Sequence, residues 1–88
     1  MSLYRLTEKQ IQILSVIHQH RVVQEEDIDM DQLLTELPYQ TSKESMQFSL
    51  RALIKKGFIE KNDQWAVRRG RARRTYSLTE FGKTMLRL

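Results

Sequence analysis

The chain has 88 residues, of which 40% are hydrophobic and 30% charged, a length and composition typical of one small globular domain. No apolar run approaches the roughly 20 residues that a membrane-spanning helix needs, and residues 1–6 lack the long apolar stretch of a secretory signal. The absence of cysteine excludes disulfides, thiolate metal sites and a cysteine nucleophile. We therefore expect a single domain over residues 1–88 that works in the cytoplasm.

The net charge of +4 is divided unevenly along the chain. Residues 1–31 carry three basic and six acidic side chains, whereas residues 32–88 carry twelve basic and five acidic ones. Five arginines fall within one stretch of seven residues: Arg68, Arg69, Arg71, Arg73 and Arg74. A domain with this polarity should approach a polyanion with its C-terminal half first.

The first predicted helix covers residues 8–20, where Thr7 and Gln10 have the spacing of a capping box. Its apolar positions form an unusually wide arc: Ile11, Ile13, Leu14, Val16 and Ile17. Such an arc predicts burial against more than one neighbour, or a subunit contact. His18 and His20 lie two apart, which is a poor spacing for a shared metal, and we expect both at the surface.

A short connection follows, in which Val22 and Val23 favour a brief strand. Asp29 or Asp31 can cap a second helix, predicted over residues 30–37, because acidic side chains suit the positive end of a helix dipole. Pro38 disfavours helical geometry at the preceding residue and ends that helix.

The third predicted helix covers residues 42–56 and is the best-defined element. Thr41 or Ser42 can cap it, with Glu44 at the capping-box distance from Thr41. Its helical spacing produces one apolar stripe, consisting of Met46, Leu50, Leu53 and Ile54. Gly57 follows two lysines and can take the left-handed conformation that closes a helix.

After Gly57 the hydrophobic period changes to two, which predicts a hairpin over residues 58–78. Asn62 and Asp63 can turn or bulge its first strand, and Gly70 marks a plausible tip among the arginines. Thr79 then caps a final short helix over residues 79–87. Its inward side chains are predicted to be Phe81, Met85 and Leu86 or Leu88.

This order of elements predicts a mainly α fold with a small β-hairpin (α+β), arranged as a winged helix-turn-helix. It has a three-helix core, a wing and a short C-terminal helix. A helix in the DNA major groove needs one anchored apolar face and one polar face, and the 42–56 helix has both. Its candidate DNA contacts are Thr41, Ser42, Lys43, Ser45, Gln47 and Arg51. The wing candidates are Arg68, Arg69, Arg71, Arg73 and Arg74.

Three runs, LTEKQIQIL, LIKKGFIE and GRARRTYSLTEFG, resemble bacterial winged-helix transcriptional regulators of the MarR and PadR type. The positions that carry the resemblance are Gly57, Ile59, Gly70, Arg71, Tyr76, Leu78, Thr79 and Gly82. The chain lacks the long flanking helices of MarR proteins, so it most resembles a small stand-alone wing domain. The resemblance implies a transcriptional regulator that binds double-stranded DNA.

Two other interpretations of the basic wing stay open beside this one. The wing could meet an acidic protein partner, or Trp65 and Tyr76 could stack on single-stranded nucleic acid, although packing is the expected role of both. Phe48 could contact a thymine methyl group, but its expected role is packing under a neighbouring helix or a second subunit. No catalytic motif is present, so no enzyme, cofactor, metal or small-molecule ligand is expected. Homodimerisation is expected, because paired half-sites raise specific affinity.

Overall fold

The computed structural model describes the backbone of residues 6–68 and 71–87, and the side chains of residues 6–62 and 74–87. The helices are α1 (Glu8–Gln24), α2 (Met30–Glu36), α3 (Lys43–Lys55) and α4 (Glu80–Met85). The strands are β1 (Ile28–Asp29), β2 (Ile59–Arg68) and β3 (Arg71–Leu78). Among these described residues, no helix is both long enough and apolar enough to cross a membrane.

Helix α1 begins as the sequence predicts and ends later. Thr7 and Gln10 form the capping box, each side chain bonding the other residue's backbone N–H at 3.0–3.1 Å. The helix continues to Gln24 and stops at Glu25, whose φ of 56° is left-handed. The predicted strand at Val22 and Val23 is therefore wrong: both residues are helical and exposed.

The wide apolar arc of α1 has several neighbours within the chain. Ile13, Leu14 and Ile17 are buried, and the helix packs against β1, α2 and β3. Val16 is half-buried and Ile11 remains exposed. The expectation of more than one neighbour is confirmed, and the core of the domain lies where these elements meet.

His20 is buried, with only 4% of its area exposed, so the prediction that it lies at the surface is wrong. Its Nδ1 lies 2.9 Å from Oε2 of Glu36 on α2, and its Nε2 lies 3.5 Å from Oε1 of Glu26. His20 is buried and bonds to Glu36 on α2, which packs against α1. A polar ring buried there needs such a partner.

The brief strand lies at Ile28–Asp29 and adds a third strand to the predicted hairpin. The sheet order is β1-β3-β2, with both pairs antiparallel. Asp29 is also the N-cap of α2, where its carboxylate accepts the Gln32 N–H at 2.9 Å and Gln32 completes a capping box. Strand β1 is thereby joined to the first turn of α2 with no loop between them.

Helix α3 is anchored by the predicted stripe. Met46, Leu50 and Leu53 are buried, and the helix packs against α2 and β2. Ser42 is its N-cap, with Oγ accepting the Ser45 N–H at 3.1 Å. The predicted box between Thr41 and Glu44 does not form, because the helix starts one residue later than that spacing requires.

Strands β2 and β3 pair from Ile59 opposite Leu78 outward along the wing. The pairing is regular through Asn62 and Asp63, so the predicted turn or bulge is not there; the irregularity lies between Gln64 and Arg68. Gly57 takes the left-handed φ of 83° that was expected.

Helix α4 is seated at the base of the wing. Thr79 is its N-cap, its hydroxyl donating to the Gly57 carbonyl at 2.6 Å and accepting the Gly82 N–H at 3.0 Å. Phe81 stacks on the buried Phe58 ring with 5.1 Å between centroids. Met85 and Leu86 also pack on the core, as expected, and Leu88 lies outside the described residues.

Candidate nucleic-acid interface

One open groove of about 370 Å³ lies between α3, the start of α2 and the base of the wing. Helix α3 lines it with residues spaced at helical intervals, namely Lys43, Gln47, Leu50, Arg51 and Ile54. The sheet contributes Lys61, Arg74 and Tyr76, and α2 contributes Met30 with Asp29 and Asp31. The polar face of α3 and the base of the wing therefore share one concave surface.

The strand register explains why the wing turns basic side chains into this groove. Lys61 on β2 is the Cα partner of Tyr76 on β3, and partners in an antiparallel pair point to the same face. Arg74 lies two residues before Tyr76, so it also shares that face. Near the core, this face of the sheet carries the buried apolar side chain of Ile59. Farther along the wing, the same face carries Lys61 and Arg74.

The groove carries more positive than negative charge. Lys43, Arg51, Lys61 and Arg74 give four cations, against the two carboxylates at the start of α2. One of those carboxylates, Asp29, is buried and already accepts the N–H of α2 as its cap. Cations therefore outnumber carboxylates in the groove, as a surface for a polyanion requires.

Tyr76 on β3 also lines the groove. Its side chain is buried, which confirms the expectation of packing for this residue. Burial raises the pKa of Tyr76, and the positive charge of Arg74 opposes that rise in part. The Arg74 guanidinium is thus close enough to influence the Tyr76 phenol electrostatically.

The start of α3 presents hydroxyl groups beside the groove. Ser42 and Ser45 are exposed and Thr41 is half-buried. The Ser42 oxygen is occupied as acceptor of the Ser45 N–H, yet its own O–H can still donate to an anion. The first turn of a helix also offers backbone N–H groups and the positive end of the dipole.

The predicted site residues divide into three groups. Lys43, Gln47, Arg51 and Arg74 come together in the groove, whereas the three hydroxyl residues are not among its lining residues. The backbone at Arg68 pairs with that at Arg71, and Arg73 is paired with Gln64. The structure does not describe the side chains of these three arginines or of Trp65. Arg69 and Gly70 lie outside the described residues altogether.

Lys61 is a groove residue that was not among the sequence-predicted contacts. A sequence signal existed, since Lys61 follows Ile59 at the period of two that begins after Gly57. The period alone cannot say which sheet face packs on α3. That assignment needs the register between β2 and β3.

A metal site is not apparent in the part of the chain that the structure describes. The described histidine and acidic side chains include no group of three or more that could hold a metal ion. Asp29 is a helix cap, and the His20 ring is bonded to Glu36.

No protein-family model matches the chain, and no curated protein matches it by sequence. Solved structures do match. S. aureus MepR bound to ethidium bromide is similar at a TM-score of 0.76 and 18% identity over 99% of this chain and 56% of that one. A PadR-like transcriptional regulator from Bacillus cereus is similar at a TM-score of 0.74 and 24% identity, over 90% of this chain and 74% of that one. FabT from Streptococcus pneumoniae in complex with DNA is similar at a TM-score of 0.70 and 24% identity, over 93% of this chain and 50% of that one.

Structures of MarR match as well, with TM-scores of 0.71 and 0.67. The fold is therefore the winged helix-turn-helix of solved MarR and PadR regulators, which confirms the fold class that the sequence predicted. This chain spans about half the length of the MepR, FabT and MarR chains that it matches. Other matched structures are an adhesin competence repressor from Streptococcus pyogenes and a PadR family transcription regulator from Clostridium difficile.

Proposed function

We propose that this chain binds double-stranded DNA in a sequence-specific manner and acts as a transcriptional regulator. The observation that carries the proposal is the shared groove: the polar face of α3 and two basic residues of the wing base line one concave surface with a net positive charge. A major groove about 12 Å wide admits one helix, and the wing base beside α3 then meets the flanking phosphates.

Each group of residues has its own role in the proposal. Lys43, Gln47 and Arg51 are on the groove side of α3, where they can reach base edges, and side chains of these types donate to guanine or bond adenine. Thr41, Ser42 and Ser45 hold a phosphate at the start of the helix. The wing arginines, from Arg68 to Arg74, lie along the backbone or enter the neighbouring minor groove.

The structural comparisons support this proposal at the level of the fold. FabT, whose structure contains DNA, shares the arrangement of helices and wing. A purely protein-binding role for the basic wing would leave the polar groove face of α3 without a use. Double-stranded DNA engages both surfaces at once.

The first experiment measures DNA affinity against salt for a variant with Arg69, Arg71 and Arg73 changed to alanine. Each phosphate contact contributes about 0.9 to the slope of log K against log salt, so the slope should fall by up to about 2.7. Affinity should weaken for all duplex sequences alike, because phosphate contacts carry no base information.

The matched control removes the same amount of charge elsewhere, through Lys56→Ala, Lys83→Ala and Arg87→Ala. These side chains are exposed and do not line the groove. An equal loss of slope in the control would show that only net charge matters and would refute the wing assignment. Unchanged binding by the wing variant would refute it as well.

The second experiment separates readout from affinity. Gln47→Ala or Lys43→Ala should change which sequences are selected from a random duplex pool, at about 1–3 kcal/mol for each base that the side chain no longer reads. Competition with single-stranded oligonucleotides tests the alternative nucleic-acid partner. A chain that prefers single strands, or shows no affinity for duplex DNA, contradicts the proposed function.

We further propose that the chain works as a homodimer in the cytoplasm, at the nucleoid. The exposed apolar side chains on the outer face of α1 favour a second subunit there, with Ile11 42% and Val22 59% exposed. One small module contacts few bases, and paired half-sites about one helical turn apart supply the remaining specificity. Sedimentation at micromolar concentration tests the proposal, and a strict monomer contradicts it.

A further inference from the structure

Phe48 is the most exposed large hydrophobic side chain among the described residues, at 77%. It is the sixth residue of α3, in the N-terminal half of that helix. The expectation that a neighbouring helix of this chain covers it is therefore wrong. Burying a phenylalanine is favourable, so its position on the proposed DNA-binding helix calls for a partner.

The anchoring of α3 defines the direction in which Phe48 points. At about 100° per residue, Phe48 lies about 140–160° from each of the three buried anchors, Met46, Leu50 and Leu53. It therefore stands on the ridge of the helix farthest from the core. Phe48 does not line the groove described above, and it is turned by about 60° from Arg51 and about 100° from Gln47 around the helix. In a helix seated in the major groove, this outer ridge faces base edges beside those read by Gln47 and Arg51.

The surroundings of Phe48 decide between two kinds of partner. Its neighbours on the same ridge, Glu44, Arg51 and Lys55, are charged and exposed. The apolar surface is consequently one isolated ring, whereas the centre of a protein interface is depleted of charged residues. One apolar ring among charged side chains suits a partner that also presents a single apolar group among polar ones.

We propose that Phe48 is a specificity-determining residue that packs its ring against the C5-methyl group of thymine. Thymine is the one base that presents a methyl group in the major groove, and apolar side chains contact it there. This inference rests on the proposed binding of duplex DNA through α3. It adds a role that hydrogen bonding by Gln47 or Arg51 cannot supply, since a methyl group offers neither donor nor acceptor.

The test compares thymine with deoxyuridine, which differs only in lacking that methyl group. Preferred duplexes are first selected from a random pool with the wild-type chain, and each thymine is then replaced singly by deoxyuridine. Loss of one buried methyl is worth about 0.8 kcal/mol, so the wild-type affinity should fall about fourfold at one or two positions of each half-site. The Phe48→Ala variant should bind the two duplexes equally.

Phe48→Leu is the matched variant, because it keeps an apolar contact and should retain part of the preference for thymine. Both variants should fold normally, since most of the Phe48 side chain already lies in solvent, and thermal unfolding checks this. The proposal is overturned if wild type is indifferent to the methyl group, or if Phe48→Ala keeps the same discrimination. A shift towards monomer in sedimentation of Phe48→Ala would also overturn it, in favour of a subunit contact.

These outcomes separate this inference from the proposed function. If wild type selects duplex sequences but ignores the methyl group, the role of Phe48 is wrong and the proposed function stands. If wild type shows no affinity for duplex DNA, the proposed function itself fails and the role of Phe48 fails with it.

Discussion

Replacement of Gly82 by alanine probes how α4 is seated on the base of the wing. A Cβ atom at Gly82 would lie 2.0 Å from the carbonyl oxygen of Phe58 and 3.0 Å from its carbonyl carbon. Contacts under 3.0 Å are essentially never found for real Cβ atoms. The obstacle is backbone rather than a flexible side chain, so α4 must move away by about 1 Å.

The cost follows from what that movement disturbs. The Phe58 carbonyl accepts the Thr79 N–H at 3.1 Å, and the Phe58 and Phe81 rings stack at 5.1 Å. Overpacking costs about 1–3 kcal/mol and a weakened aromatic pair about 0.5–1.5 kcal/mol, while alanine returns about 1 kcal/mol of helix propensity. The expected net destabilisation is about 0.5–3.5 kcal/mol, compared with a total stability of roughly 4–13 kcal/mol typical of a chain of this length.

Urea and thermal unfolding measure this effect. The melting temperature of Gly82→Ala should fall by about 2–28 °C. Lys83→Ala, an exposed change in the same helix, should stay within about 0.5 kcal/mol of wild type. Gly57→Ala should cost only about 1–2 kcal/mol of backbone strain, because a Cβ there meets nothing closer than Phe81 Cδ2 at 4.0 Å. A Gly82→Ala chain as stable as wild type would refute the seating of α4.

Three further predictions concern the buried and capping groups. His20→Ala should lower the free energy of unfolding in urea by about 1–3 kcal/mol, because it removes the hydrogen bond to Glu36. Glu36→Gln keeps an acceptor and should cost less. A larger loss for Glu36→Gln than for His20→Ala would contradict the contact. Ser42→Ala should lower the free energy of unfolding by about 0.5–2 kcal/mol through loss of the cap, and an unchanged value would show that the Ser45 N–H is satisfied elsewhere. Burial raises the pKa of Tyr76, so the folded state favours the neutral phenol. The contribution of the neutral phenol to the free energy of unfolding is complete below pH about 10 and is lost as the pH rises above that. Tyr76→Phe should therefore lose less stability than wild type in urea unfolding between pH 9 and 11. Identical pH profiles would contradict this.

The local elements of the fold were readable from short stretches of sequence. Thr7 with Gln10, and Thr79 before the final helix, are caps whose hydrogen bonds join residues three apart. The stripe through Met46, Leu50 and Leu53 follows from helical spacing alone. The uneven distribution of charge and the hydrophobic period of two after Gly57 can likewise be read without knowing any tertiary contact. The α+β class, the wing and the basic C-terminal half could therefore all be predicted.

The errors occurred where a residue's environment depends on a distant segment. His20 is buried because Glu36 lies on the helix that packs against α1, and Ile28–Asp29 is a strand because Tyr76 and Thr75 pair with it. Phe48 is exposed because no other part of the described chain covers the outer ridge of α3. None of these partners is near in sequence, so no local pattern could reveal them.

Residue types and their spacing decided which side chains could meet nucleic acid, since the capped α3 helix and the arginine stretch are properties of neighbouring residues. Tertiary structure decided that Lys43, Gln47 and Arg51 face the same groove as Lys61 and Arg74. The physical reason is that helix orientation is set by which face is buried, and sheet orientation by the pairing of β2 with β3. Both depend on contacts between segments that only the folded core brings together.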